Sequence, residues 1–139
     1  MVELNWIAII LAAVSTMIVG SIWYGPLFGK AWTKLAKVKK DSDFGGMKAV
    51  IMYGGAFLGS LITAIVLALA IFIFHDFKQG NLLVDALMTG LLLWLGFTAT
   101  RIHMHDSFEG RRKKLTLLSI SNELVTIEVM ALIIGLLPA

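Results

Sequence analysis

Trp23-Tyr24-Gly25-Pro26-Leu27-Phe28-Gly29-Lys30-Ala31-Trp32 decides how the rest of the chain is read. An apolar run precedes it and a lysine-rich segment follows. Trp and Tyr favour the headgroup level of a bilayer, because their rings are apolar at one end and polar at the other. The stretch therefore reads as a transmembrane helix leaving the membrane. Gly25-Pro26 predicts a helix stop, since Pro26 lacks an N–H and disfavours helical backbone at Gly25. Trp23, Tyr24 and Trp32 are expected interface anchors, with Lys30 and Lys34 among anionic headgroups.

Backward from this exit, residues 4–24 form an apolar run, long enough for the roughly 20 residues a span needs. A cleaved signal peptide is the rival reading. It is disfavoured because Glu3 rather than a basic cluster precedes the run, and no small-residue cleavage site follows. Forward from the exit, Phe28, Ala31, Trp32 and Leu35 share one helical face, and Lys30, Lys34 and Lys37 another. That pattern predicts a short interfacial helix, broken by Lys39-Lys40-Asp41-Ser42-Asp43 and Gly45-Gly46.

Three further spans are expected at 49–75, 82–102 and 115–137, with a polar turn at 76–81 and a charged loop at 103–114. The fold class is all-α: a single integral membrane domain of four helices in a bundle, with no separate soluble domain. Composition agrees. Of 139 residues 58% are hydrophobic and 15% charged, with mean hydropathy +0.87, against about 25% charged in a soluble domain. There is no cysteine, so disulfides, thiolate catalysis and cysteine-bound metal are excluded.

Within the second span, Gly55-x-x-x-Gly59 continues to Thr63, and Ala56, Ser60, Ala64 and Ala68 run beside it. Gly55, Gly59 and Thr63 predict a close helix contact, with this chain or with another copy. A similar small-residue stripe, Ala12, Thr16 and Gly20, marks the first span.

Basic residues set the orientation. Of 12 Lys and Arg, Lys78 alone lies in the turn between spans two and three. The other eleven lie in the first loop or from Arg101 through Lys114. The positive-inside rule then places both basic loops in the cytoplasm and both termini outside.

Asn5-Trp6 opening a span, the exit quoted above, Trp94-Leu95-Gly96-Phe97-Thr98-Ala99-Thr100, and Phe108-Glu109-Gly110-Arg111 together resemble DUF1761. That is a family of small four-span bacterial membrane proteins without an assigned function. The resemblance covers nearly the whole chain. It implies a four-helix protein of a bacterial inner membrane and carries over no catalytic residue. The family pattern usually lacks a carboxylate at Glu128, so the resemblance assigns Glu128 no shared role.

Glu123 and Glu128 are the residues most able to carry chemistry. They lie roughly 12 and 20 Å into the last span at about 1.5 Å per residue. An ionisable group at that depth costs at least ~2.5 kcal/mol and needs protein or water around it. Two readings stand: a proton or cation relay, or glue between helices. The two acids lie about 140° apart around the helix. Glu123 groups with Ser119, Asn122 and Thr126, and Glu128 with Ser121. The stripe of Glu128 is expected to face a second copy, which predicts a homo-oligomer. The alternative is a hydroxyl such as Ser15, Thr16 or Thr63 within the chain. Arg101 is a candidate partner for Glu123, or else it snorkels to phosphate.

His103-x-His105-Asp106 with Glu109 is a weak divalent-metal pattern, because His103 and His105 point apart on one helix. A solvated interfacial cluster is the plainer reading. Asp85 is expected to cap the third span, and Trp94 to be packing. No phosphate loop, nucleophile elbow or haem-ligand pair is present. No cofactor, no catalytic residue and no nucleic-acid partner are therefore expected. The expected partners are the bilayer and its anionic headgroups.

Three functions remain open from sequence. The first is an oligomeric channel or transporter using the intramembrane carboxylates. The second is a structural or regulatory protein whose polar residues lock helices. The third is a membrane enzyme on a lipid-soluble substrate near His103, His105, Glu109 and Arg111.

Overall fold

The computed structural model describes residues 3–36 and 46–138. The expected break at 39–46, and Lys37 with it, therefore lies outside the described residues except for Gly46. Among the described residues there are five helices: α1 Trp6–Leu27, α2 Gly29–Ala36, α3 Met47–Lys78, α4 Leu82–Glu109 and α5 Lys113–Leu136. Four of them, α1, α3, α4 and α5, are long and apolar enough to cross a membrane.

The four long helices alternate in direction and pack in a ring, in which α5 lies between α1 and α4, and α3 closes the ring from the other side. The core sits at the end that carries the termini. Ile9 and Ala12 of α1 meet Ala64, Leu67, Ala68 and Ile71 of α3, Ala86 of α4, and Met130, Ala131 and Ile134 of α5 there, and Ala8 and Ala13 are buried as well. Alanine at so many of these positions lets backbones approach closely, which is how apolar helices gain packing energy in lipid. Outward, Ile10, Val14, Ile18, Leu58, Ile62, Val66 and Leu92 are exposed. Apolar residues on the outside are at ease only in an apolar solvent.

Asn5 ties the terminal end together. Its Oδ1 accepts from the N–H groups of Ile7 and Ala8, capping α1. Its Nδ2 donates to the Leu137 carbonyl at 2.9 Å, fixing the start of α1 to the end of α5.

Gly25-Pro26 does not stop α1. The helix widens into a π turn over Trp23–Leu27 and ends at Phe28, whose N–H donates to the Trp23 carbonyl at 2.8 Å. Pro26 breaks the normal ladder, and a five-residue bond takes over where the four-residue one is lost. The chain then turns back as α2. Trp23 stacks on Phe28 at 4.6 Å between ring centroids, and Tyr24 on Trp32 at 5.0 Å. A second π turn, Trp94–Ala99, interrupts α4. The Trp94 indole donates to the Ile120 carbonyl of α5 at 2.9 Å, so Trp94 is a tether as well as packing.

Three expected boundaries move. α3 runs to Lys78, shortening the polar turn. α4 runs to Glu109, so most of the expected charged loop is helical. Asn81, not Asp85, caps α4, accepting from Leu83 and Val84.

Candidate functional site

Away from the core, packing loosens, and a crevice of about 220 Å³ opens among α1, α3 and α5. Thr16 and Met17 line it from α1, Ala56, Ser60 and Thr63 from α3, and Asn122, Glu123, Thr126 and Met130 from α5. Thr16 and Ser60 join their hydroxyls at 2.8 Å across it, and Met130 brings it up to the core. Asn122 is buried with its Oδ1 unpartnered among the described residues. Glu123 reaches the opening. Around this acid the lining offers hydroxyls, an amide and two thioethers, and no basic side chain.

Toward the basic segments the surroundings become cationic. Tyr24, on the π turn, is half-buried there. Tyr24 also lines a cavity of about 480 Å³ with Lys30, Thr33 and Lys34. Ser119 lines another of about 450 Å³ with Arg101, His105, Asp106 and Arg111. Of the expected grouping, Asn122, Glu123 and Thr126 line one crevice, and Ser119 lines a separate cavity.

The expected Arg101–Glu123 pair is not formed. Arg101 is exposed, and its Nη1 lies 3.8 Å from the Met104 sulfur. It lines the cavity with His105 and Asp106 rather than the Glu123 crevice.

Glu128 does not face away from its own bundle. Its carboxyl packs against Gly90 of α4, where a Cβ would collide with Oε1. That oxygen is buried and has no hydrogen-bond partner among the described residues, so neither Ser15, Thr16 nor Thr63 serves it. The two acids thus occupy different seams: Glu123 in the crevice, Glu128 between α4 and α5.

Among the described residues Gly55 and Gly59 make no close contact: a Cβ on either would meet nothing within 4 Å. The neighbouring stripe faces inward instead, with Ser60 bonded to Thr16, and Ala64 and Ala68 buried. Thr63 lines the crevice rather than extending the glycine face. Close glycine contacts occur at Gly90 and at Gly135, whose Cβ would lie 3.0 Å from the Ala86 Cβ.

Two polar clusters stood out poorly in the sequence. At the core end, Asp85 is fully buried with its carboxylate 2.8 Å from His75 Nδ1 and 3.5 Å from Lys78 Nζ. At the other end, Asp106 is buried and accepts from the Thr116 hydroxyl at 2.8 Å. His105 lies beside it at 3.8 Å and 3.7 Å from Glu109. His103 stands outside this group. Two hydrophilic residues ten apart, either side of a turn, were the available signal in each case.

The family profile that matches residues 7–135 is described as Protein of unknown function (DUF1761). No curated protein and no solved structure is detectably similar to the chain.

Proposed function

The chain belongs to the DUF1761 family, and from that premise we propose that it is a small transport protein that brings a proton or small cation to Glu123 from the side of the basic segments. The carrying observation is the crevice itself. Its lining supplies a carboxylate, an amide oxygen and hydroxyls, and no basic side chain competes for the acid. Oxygen ligands of this kind suit a hard cation or a proton. The core around Ile9, Leu67, Ile71 and Ile134 lies between this site and the opposite face, as a one-sided access path requires.

In this reading both basic segments lie in the cytoplasm and the termini outside, on the positive-inside rule. Lys30, Lys34, Trp23, Tyr24 and Trp32 anchor the interfacial α2 among anionic headgroups. The protein works as a homo-oligomer, since one four-helix ring leaves little room for a complete pathway. Glu128 no longer supports that assembly. The uncovered Gly55–Gly59 face of α3 does, because it would admit a second backbone.

Flux into liposomes tests the proposal, with a pH dye for protons and ion-selective readouts for Na⁺ and K⁺. The wild-type chain should pass one of these, and Glu123→Gln should lose that flux while keeping its melting temperature. No flux from the wild type, or equal flux from Glu123→Gln, overturns the reading. One observation favours helix locking as a second function for the buried acids: the contact of Glu128 with Gly90. Under that reading alone, both Glu→Gln variants would change stability and no flux would be seen.

A further inference from the structure

We propose that His105, Asp106 and Glu109 form a divalent-metal site at the end of α4, suited to zinc or another first-row transition-metal cation. One ligand atom from each lies within 4.8 Å of the others. His105 and Glu109 are one turn apart and share a helix face, their nearest atoms 3.7 Å apart. Asp106 is the built part of the site. It is 4% exposed, and its Oδ2 accepts from the Thr116 hydroxyl at 2.8 Å. Its Oδ1 points into the cluster, 3.8 Å from His105 Nδ1 and 3.8 Å from Arg111 Nη1, beyond hydrogen-bond distance of either. A carboxylate oxygen held at a fixed angle on a nearly buried residue, with no hydrogen bond of its own, is a position that a cation satisfies. The Thr116 bond is the kind of outer support that orients metal-binding carboxylates.

Zinc–ligand bonds of about 2.0–2.2 Å require the three atoms to close by about an ångström. His105 and Glu109 have exposed side chains, 71% and 58%, and can rotate inward while Asp106 stays fixed. Imidazole with two carboxylates suits zinc or manganese better than magnesium or calcium. Three protein ligands leave a coordination position open. His105 and Asp106 also line the cavity of about 450 Å³ that holds Arg101, Arg111 and Ser119. A bound cation would take over the Asp106 oxygen that Arg111 now faces, leaving that guanidinium to an anion in the cavity. The site is distinct from the Glu123 crevice, and its test is independent of flux.

The test uses the full-length protein in detergent, with any purification tag removed and metals stripped by chelator. Titration with ZnCl₂ is followed by calorimetry, and with CoCl₂ by visible absorption. One zinc per chain should bind, and a tenfold excess of Mg²⁺ should not displace it. His105→Ala and Glu109→Gln alter exposed side chains and should each weaken binding more than about tenfold. Thr116→Val, which releases Asp106, should weaken it by roughly 10–100-fold. His103→Ala should bind as the wild type does. Absence of saturable binding, binding that survives both His105→Ala and Glu109→Gln, or an equal loss with His103→Ala would overturn the proposal.

Discussion

His75 Nδ1 lies 2.8 Å from the Asp85 carboxylate, and Asp85 is wholly buried while His75 is partly exposed. The pair joins the end of α3 to the start of α4, across a turn in which Gln79 takes a left-handed backbone with φ 57°. Gly80 fits there because a Cβ would come within 3.2 Å of an Asp85 oxygen.

Removing the two partners of Asp85 should have unequal effects. His75→Ala takes away the 2.8 Å contact and should cost about 1.5–3 kcal/mol, the range for a hydrogen bond to a charged group. Lys78→Ala removes a half-exposed ammonium at 3.5 Å and should cost less than about 1 kcal/mol. Thermal unfolding in detergent, compared between the two variants, checks the ranking.

Glycines on the two sides of the bundle should respond oppositely. Gly90→Ala pushes a methyl into the Glu128 carboxyl and to 3.3 Å from the Ala131 Cβ. Overpacking of this kind typically costs about 1–3 kcal/mol. Adding Glu128→Ala should recover part of that loss, since the two positions touch. Gly59→Leu meets open space and should leave the melting temperature of the isolated chain unchanged. Mass measurement in nanodiscs should show that Gly59→Leu loses oligomer. An unchanged oligomer would exclude that face from the assembly.

The cysteine-free chain makes access to the crevice measurable. Thr126→Cys, in the crevice lining, should react with a membrane-impermeant thiol reagent added from the side of the basic segments. Ala131→Cys, in the core with no exposed surface, should stay unreactive from both sides. Labelling of Thr126→Cys from the side of the termini would reverse the proposed access.

Asn5 has two separable roles. Asn5→Ser retains a cap for α1 and gives up the reach to the Leu137 carbonyl. Asn5→Ala gives up both, and should be the less stable by about 0.5–2 kcal/mol, the usual worth of an N-cap. Hydrogen exchange at the Ile7 and Ala8 amides, both bonded to Asn5 Oδ1, should rise only in the alanine variant.

The spans were legible because lipid imposes a long apolar run on any helix that crosses it. Part of the crevice lining was legible for a similar reason: Asn122, Glu123 and Thr126 recur at helical spacing, whereas Ser119 lines a separate cavity. What sequence did not settle was the rotation of each helix about its axis. In α3 the Gly55–Gly59 stripe and the Ser60–Ala64–Ala68 stripe lie side by side. Either could face inward, and the glycine pair carried the stronger motif. The structure buries the other one, where Thr16 supplies a partner for Ser60. The place of Glu128 was missed because its neighbour, Gly90, is recognisable only by what it lacks. The direction of Arg101 was not legible, because the π turn at Trp94–Ala99 just before it has no signature in helical spacing.

The π turn of Trp94–Ala99 holds one residue more than the ordinary ladder would in the same angle of turn. Removing one residue there and restoring the ordinary ladder therefore leaves the helix beyond it in nearly the same angular phase. Asp85 would stay against His75, Gly90 against Glu128 and Asp106 on Thr116. The chain can gain or lose one residue at this point without re-aiming either end. The turn at Trp23–Leu27 gives α1 the same tolerance. Length variation among related chains should accordingly fall at these two turns and spare the packed halves of α1 and α4.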